Sequence, residues 1–383
     1  MELKGCKMMA MQKEFLYQKI YDDLFSDISK GLYSPEQRLP SEKELAERYQ
    51  VSRITSKKAL EMLEKNGYIT RFPGRGSFIN TGYNQEKAML QGVHNREKSR
   101  LIGIVVEDFA ENFGTMILSG AEQRCSKESY NLILKRSHGS QQQESAAIQG
   151  LINLGVDGIL VMPVHGDNYN PTILKLAVEK FPFVLIDREL KGIPASFVGT
   201  DNLSAAKNMT DYLFELGHKN ICFVAPAETD TSTVRQRMEG FMSSYEKHNV
   251  LAGKNFVVSN IISTLPGEKE SDSIGKDVAV MKKYLHEHPE TTAFFAVEYN
   301  IALIVYKAIY ETGRKVPDDY TVVCFDSPPN YIGEYTFAHI RQDEILIGQK
   351  SVELLLNQIQ GGTIEKCTIN SELVQGNSVR NIN

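Results

Sequence analysis

The sequence predicts an α/β protein in which a small N-terminal unit precedes a larger body built on parallel sheets. Residues 1–80 are patterned as three short helices and a β-hairpin, whereas apolar strands alternate with amphipathic helices from residue 100 onward. Near-continuous apolar strands separated by helices are typical of parallel sheets covered on both faces. The 383 residues also exceed the length of one average domain.

Composition excludes several classes of protein. The chain is 42% hydrophobic and 24% charged, which excludes wholesale disorder. No apolar run reaches the roughly 18 residues of a membrane helix, and the first residues lack the apolar core of a signal peptide. The five cysteines are far apart without a C-x-x-C pair, which favours a reducing compartment over disulfides or structural zinc. We therefore expect a cytoplasmic protein with no membrane partner and no metal.

The charge is distributed unevenly along the chain. Residues 1–80 hold 14 Lys and Arg against 11 Asp and Glu, whereas the rest holds 29 against 37. The basic excess lies in residues 51–80, where only Glu61 and Glu64 oppose six bases: Arg53, Lys57, Lys58, Lys65, Arg71 and Arg75. A basic unit joined to an acidic body indicates that only the first unit contacts a polyanion.

The elements of the first unit have clear boundaries in the sequence. Ser41 and Glu44 form a capping box that begins a helix over 42–49, and Ser52 is the expected N-cap of a helix to about residue 66. An earlier helix repeats apolar residues every four positions up to Ile28, and strands 68–70 and 77–79 flank a turn. Three helices followed by a hairpin are the layout of a winged helix-turn-helix.

This layout predicts which side chains contact DNA. The residues at the start of the third helix would face base edges in the major groove: Ser52, Arg53, Ile54 and Thr55. Ile54 suits contact with a thymine methyl group. Gly74 and Gly76 let the backbone of the wing approach the duplex, where Arg75 reaches a phosphate or the minor groove.

The stretch RLPSEKELAERYQVSRITSKKALEMLEKNGYITRFPGRGSFI resembles the DNA-binding domain of GntR-type regulators, over roughly residues 12–80. The resemblance implies a backbone contact for Lys43. It makes Arg53 the main base reader, with Ser52 and Lys57 beside it. It also implies a wing contact made by Gly74 together with Arg75.

The body follows a polar linker. We expect the DNA-binding domain over 1–80, the linker over 81–99 and a sensing domain over 100–383. About twelve strands are too many for one core, so two lobes are expected, roughly 100–199 plus 344–373 and 200–340 plus the C-terminal tail. Ligands of such folds bind at the carboxyl ends of strands, which predicts a site in the cleft between the lobes. The sequence has no P-loop, G-x-S-x-G or H-E-x-x-H motif, so we expect a binding protein and no enzyme.

Several motifs in this body resemble the effector domain of LacI/GalR-type repressors, which is similar to periplasmic sugar-binding proteins. They span nearly all of residues 100–375 and include LIGIVV, GVDGILVMP, RQRMEGF and VPDDYTVVCFDS. A GntR-type head on this periplasmic-binding-protein-like body resembles the AraR-like, arabinose-responsive repressors.

The resemblance implies a set of ligand-binding positions, some contributed by each lobe: Asp108, Phe113, Asp187, Arg188, Arg237, Glu298, Tyr299, Asp326 and Gln342. Hydroxyl groups donate and accept hydrogen bonds, so a sugar needs acids, amides and arginines beside an aromatic face. The pair Glu298-Tyr299 replaces the usual Asn-Asp of the family, which puts an acceptor where relatives have an amide.

We therefore expect a repressor that binds operator DNA as a homodimer and is released by a monosaccharide of the pentose or deoxyhexose class, with no cofactor. Two alternatives remain at this point. A purine or other nucleobase is the first, and it would need more aromatic stacking and fewer acids. The second is a DNA-binding head on an enzyme-like body, which would require a Schiff-base lysine.

Overall fold

A computed structural model describes the chain outside residues 1–15, 18, 29–31, 35, 66, 73–74, 81–99, 109–112, 165–169, 228–230, 254–255, 267, 269–270 and 327–335. The chain forms two compact units, residues 1–98 and 99–383. The expected linker and Gly74 lie outside the described residues. None of the helices in the described ranges is long and apolar enough to cross a membrane.

The first unit contains three helices and a hairpin. They are α1 (residues 19–28), α2 (Glu42–Arg48), α3 (Arg53–Lys65), β1 (Ile69–Phe72) and β2 (Gly76–Ile79). The strands are antiparallel, with Phe72 opposite Gly76. One apolar face of each helix packs into a common core, which includes Ile20, Leu24, Leu45, Leu60 and Leu63.

The predicted capping box begins α2. The Ser41 hydroxyl accepts the Glu44 N–H at 3.3 Å, and the Glu44 carboxylate accepts the Ser41 N–H at 2.7 Å. These bonds satisfy donors that the first turn of a helix leaves unpaired. The box therefore sets where α2 begins and how the chain enters the helix-turn-helix.

Along the second unit, the chain first forms most of one lobe and then most of the other. The elements of the first lobe are β3 (Leu101–Val106), α4 (Thr115–Lys127), β4 (Asn131–Arg136), α5 (Gln141–Leu154), β5 (Gly158–Val161), α6 (Pro171–Glu179), β6 (Phe183–Ile186) and β7 (Ser196–Thr200). Those of the second are α7 (Asn202–Glu215), β8 (Ile221–Pro226), α8 (Ser232–Lys247), β9 (Val257–Ile261), α9 (Ser271–Glu287), β10 (Ala293–Ala296), α10 (Tyr299–Glu311), β11 (Thr321–Phe325) and β12 (Ala338–Arg341).

The chain then returns to complete both sheets. It continues through α11 (Glu344–Ile359), β13 (Lys366–Ile369) and β14 (Glu372–Val374). The first sheet has the order β13-β7-β6-β5-β3-β4 and the second β14-β12-β11-β10-β8-β9. The described strands of both sheets are parallel except β14, which runs antiparallel to β12. The chain therefore crosses between the lobes after β7, after β12 and after β13.

Glycines allow two helices of the first lobe to pack backbone against backbone. A Cβ on Gly120 of α4 would lie 2.1 Å from the carbonyl oxygen of Ile345, and one on Gly348 of α11 would lie 2.1 Å from that of Ile117. Glu344 also accepts the N–H groups of Gly114 and Met116 at 2.8 and 3.2 Å, which caps the start of α4. These contacts place the beginning of α4 at the edge of the cleft.

Candidate functional site

The start of α3 presents an exposed surface on the first unit. Ser52, Arg53, Ile54 and Lys57 are exposed, and Ile54 is 80% accessible. An isolated apolar side chain this exposed gains nothing from the fold, which fits the expected contact with a thymine methyl. Arg53 is exposed and has no ion pair among the described residues.

Thr55 does not belong to this surface, contrary to the sequence-based expectation. Its side chain is only 8% exposed, and its backbone N–H and hydroxyl lie 3.3 and 2.8 Å from the Ser52 hydroxyl. Thr55 and Ser56 both lie on the inward side of α3, one turn before the buried Ala59. Thr55 therefore stabilises the first turn of α3 together with the predicted N-cap, Ser52.

The lysines expected at DNA make only weak contacts within the protein. The Lys43 ammonium lies 3.9 Å from Glu47, and that of Lys57 lies 3.7 Å from Glu61. Both pairs are exposed, and such pairs are worth little in water. Both cations therefore remain available to phosphates.

Arg71 differs from these lysines because it is committed to the fold. Its guanidinium group pairs with Glu42 of α2 and lies 3.7 Å from Glu61 of α3. It therefore joins the hairpin to both helices of the helix-turn-helix.

The tip of the hairpin carries an exposed arginine. The backbone N–H of Arg75 donates to the Phe72 carbonyl at 3.0 Å, and its guanidinium carbon lies 5.8 Å from the Phe72 ring. Gly76 has a φ of 113°, and a Cβ there would lie 2.9 Å from Nε of Arg38. This backbone conformation favours glycine, which shapes the turn that carries Arg75.

A cavity of about 150 Å³ lies in the cleft of the second unit and is lined from both lobes. Eight of the nine expected ligand residues line it: Asp108, Phe113, Asp187, Arg188, Arg237, Glu298, Asp326 and Gln342. Asp187, Asp326 and Gln342 each follow directly after a strand, so the cavity lies at the carboxyl ends of the parallel strands. Hereafter we call this cavity the cleft pocket.

Tyr299 is the expected residue that does not line the cleft pocket. Its ring packs edge to face against Phe337, with centroids 5.8 Å apart, and belongs to the margin of the second-lobe core. Tyr299 begins α10, and the next residue, Asn300, lines the pocket in its place. Tyr299 therefore lies outside the lining of the cleft pocket, because its side chain packs against the second-lobe core.

Arg237 is the most constrained cation of the pocket. It is 7% exposed; its Nε donates to Asn202 at 2.8 Å and its Nη1 to the Val297 carbonyl at 2.5 Å. Its guanidinium carbon lies 3.7 Å from the centre of the Phe325 ring, a cation–π contact. Burial lowers the pKa of Arg237, while the nearby Asp326 carboxyl opposes that shift. Asn202, which the sequence analysis missed, thus holds the arginine at the pocket.

Asp326 is connected to a crossover of the chain through Gln342. The Gln342 amide donates to Asp326 Oδ1 at 2.8 Å and accepts the hydroxyl of Thr200, which ends β7. Burial raises the pKa of Asp326 to about 7, although Arg237 and the Gln342 hydrogen bond act to lower it. Thr200, also missed by the sequence analysis, thus links the first lobe to the pocket wall of the second.

The first lobe contributes a second arginine that is already partnered. Nη1 of Arg188 donates to Glu107 and to the Pro163 carbonyl, both at 2.7 Å, and Nε lies 3.8 Å from Asp187. Glu107 is 5% exposed and follows directly after β3. The position of Glu107 directly after a buried strand was the signal that could have identified it. The next residue, Asp108, pairs with Arg136.

Three buried polar atoms of the pocket lack a hydrogen-bond partner within the described part of the chain. They are Asp187 Oδ1, Thr264 Oγ1 and Glu298 Oε1. Buried polar atoms are nearly always paired, so groups left unpaired at a cavity indicate what the cavity is built to bind. Two of the three are carboxylate oxygens, which accept hydrogen bonds and do not donate them when ionised.

A DNA-binding head with a two-lobed, ligand-accepting body defines a ligand-responsive transcription regulator. Residues 16–79 match the family described as bacterial regulatory proteins, gntR family, and residues 102–363 match the periplasmic binding protein domain. Because the second match covers more than half of the chain, this protein belongs to the family built on the periplasmic binding protein domain.

Two relatives align over nearly the whole chain. An arabinose metabolism transcriptional repressor of Geobacillus stearothermophilus is 25% identical over 382 residues, 96% of this chain and 98% of the relative. A repressor of the same name from Halalkalibacterium halodurans is 23% identical, over 91% of this chain and 90% of the relative. These relatives confirm the resemblance to arabinose-responsive repressors and the expectation of a regulator instead of an enzyme.

Solved structures agree with the fold of the body. The transcription regulator CcpA of Lactococcus lactis aligns with a TM-score of 0.63 and 20% identity, over 74% of this chain and 100% of that structure. A LacI family regulator of Enterococcus faecium with bound ribose aligns with a TM-score of 0.61 and 22% identity, over 74% and 100%. The predicted fold class is confirmed.

Proposed function

We propose that this protein is a sugar-responsive repressor that binds operator DNA through α3 and the wing. It releases the DNA when a monosaccharide of the pentose or deoxyhexose class occupies the cleft pocket. The observation that carries the proposal is the pocket itself, which combines two carboxylate oxygens without partners among the described residues with Arg188 and Arg237 and is lined from both lobes. We also propose that it acts in the cytoplasm, where its operator DNA would be found. The monosaccharide is the effector, and no further cofactor is proposed.

The DNA-binding part reads bases through few side chains. Arg53 and Ile54 lie together at the exposed start of α3, while Lys43, Lys57 and Arg75 supply charges for phosphates. A single domain reading so few bases has weak specificity, so we propose a homodimer on an operator with two half-sites.

The sensing part transmits occupancy through contacts between the lobes. The Glu189 N–H of the first lobe donates to the Ser232 hydroxyl of the second at 2.9 Å, and Gln342 bonds to both Thr200 and Asp326. A sugar held by both lobes favours the lobe orientation that these contacts define. The difference in its affinity for the two orientations sets the change in DNA affinity, typically ~1–3 kcal/mol.

Known relatives support the sugar class. The named repressors act in arabinose metabolism, and the Enterococcus structure holds ribose. The cleft pocket has one aromatic lining residue among those described, Phe113, and five acids, which suits a polyol better than a stacked purine.

The test uses the full chain. The protein first selects operator duplexes from a pool of random DNA sequences. Fluorescence anisotropy then measures its affinity for a selected duplex with L-arabinose, D-ribose, L-fucose or hypoxanthine added. We expect one sugar to weaken DNA binding at least fivefold. Arg237→Ala should abolish that response and keep DNA binding, whereas Lys283→Ala, an exposed control, should change neither. A response to hypoxanthine alone would overturn the sugar assignment, and failure to enrich any duplex would overturn DNA binding.

A further inference from the structure

The cleft pocket has an excess of acidic groups. Among the described residues, five carboxylates line it against two guanidinium groups, Arg188 and Arg237. The acids are Glu107, Asp108, Asp187, Glu298 and Asp326. Even with Arg136 counted as the partner of Asp108 and with Asp326 protonated, negative charges still exceed positive ones. A buried site of this charge repels an anion, because the field is poorly screened there.

Both arginines are already committed to the protein. Arg188 donates to Glu107 and to the Pro163 carbonyl, and Arg237 donates to Asn202 and to the Val297 carbonyl. These bonds engage part of each guanidinium group, so an anion would meet arginines that already share their donors and charge with the protein. Neither arginine is therefore arranged as a dedicated phosphate or carboxylate clamp of the kind that anion sites use.

The helix terminus beside the pocket is also occupied by an acid. Gly114 lines the pocket and precedes α4, whose first N–H groups form a natural anion site. The Glu344 carboxylate already accepts the N–H groups of Gly114 and Met116 at 2.8 and 3.2 Å. A phosphate of a ligand therefore cannot use this helix terminus without displacing Glu344.

Two carboxylate oxygens of the pocket lack a hydrogen-bond donor among the described residues. Asp187 is 5% exposed and its Oδ1 has no partner among the described residues, and the same holds for Oε1 of Glu298 across the cleft. A hydroxyl or ammonium group of a ligand would donate the hydrogen bond that each of these two oxygens lacks. A phosphate or carboxylate would instead place acceptors against acceptors.

Resting on the proposed function, we propose that the cleft pocket is a charge filter. It admits neutral monosaccharides and amino sugars and excludes sugar phosphates and sugar acids, with Asp187 and Glu298 as the specificity-determining residues. The effector is therefore the unphosphorylated sugar, which exists before any kinase acts on it. The sensor responds to the imported sugar and does not bind the product of phosphoryl transfer to it.

The test compares neutral sugars with charged derivatives of the same sugars. Isothermal titration of the full chain uses D-ribose with D-ribose 5-phosphate, L-arabinose with L-arabinonate, and D-galactose with D-galactosamine and D-galacturonate. Where a neutral sugar binds, we expect its anionic derivative to bind at least thirtyfold more weakly. The amino sugar should bind at least as tightly as its parent.

Two variants assign the effect to a residue. Glu298→Gln keeps the size and removes the charge, so the gap between the neutral sugar and its anionic analogue should shrink at least fivefold. Glu353→Gln, an exposed control on α11, should leave the gap unchanged. An anionic sugar that binds as tightly as its neutral parent would overturn the charge filter and leave the sugar sensor standing. Absence of binding by every sugar in the panel would overturn the proposed function and the filter with it.

Discussion

Asp187 and Asp326 occupy equivalent positions in the two lobes and approach one pocket from opposite sides. Each follows directly after the third strand of its sheet, β6 or β11, and each has a left-handed backbone, with φ of 64° and 62°. Residues other than glycine rarely adopt this conformation, and it costs free energy that a functional site can justify. The repeated turn aims a carboxyl group from each lobe into the cleft pocket.

The protonation of Asp326 predicts a pH dependence of stability. Burial raises its pKa to about 7 from an ordinary value near 3.8, so between these values the folded state binds more protons than the unfolded state. Stability from this group is therefore complete at low pH and is lost as the pH rises through 7. Urea unfolding from pH 5 to 8 should show a decline of about 2 kcal/mol that Asp326→Asn removes. An unchanged slope in the variant would contradict the prediction.

The close contact of α4 and α11 predicts a large effect of a single methyl group. Gly348→Ala places its Cβ against the Ile117 carbonyl, so the helices must separate, and we expect a loss of about 2–4 kcal/mol in the free energy of unfolding. Gly150→Ala is the matched control, because that helical glycine has nothing within 4 Å of its would-be Cβ. It should be neutral or stabilise by up to ~1 kcal/mol. Equal effects of the two variants in urea unfolding would refute the packing argument.

Two basic residues of α3 should affect DNA binding in different ways. Arg53→Ala should cost about 1–3 kcal/mol on the selected operator and relax its sequence preference, because a base contact is lost. Lys57→Ala should weaken binding to all duplexes alike and lower the slope of log affinity against log salt by about 1. Anisotropy titrations at several salt concentrations distinguish the two. Identical behaviour of the variants would contradict the assignment of Arg53 as the base reader.

The hydrogen bonds of Gln342 predict a variant that keeps DNA binding but loses the response of DNA binding to the sugar. Gln342→Leu keeps the volume but breaks the bonds to Thr200 and Asp326, which join a crossover segment to the pocket. We expect DNA affinity without sugar to stay within twofold, while the sugar-induced release falls at least fivefold. The measurement is anisotropy with the operator and the responding sugar. A full response in this variant would exclude Gln342 from coupling.

Much of the site was predictable from local patterns. The capping box of Ser41 and Glu44 and the N-cap Ser52 depend on neighbours three residues apart, and the structure has them as predicted. Polar residues directly after apolar strands, such as Asp187 and Asp326, must lie at the carboxyl edge of their own parallel sheet, where ligands of such folds bind. Strands β13 and β14 carry no such signal in the sequence. In β13 and β14 most residues are at least partly exposed, which leaves no continuous apolar run.

The sequence by itself determined the order of helices and strands, the two kinds of domain and most pocket residues, because periodicity and strand ends are local properties. Only the tertiary structure decided that Thr55 and Tyr299 turn inward and that Glu107, Asn202 and Thr200 support the pocket. Those outcomes depend on partners far along the chain: Arg237 lies 35 residues from Asn202, and Gln342 lies 142 residues from Thr200. Such contacts are set by how the lobes pack, which no local pattern records.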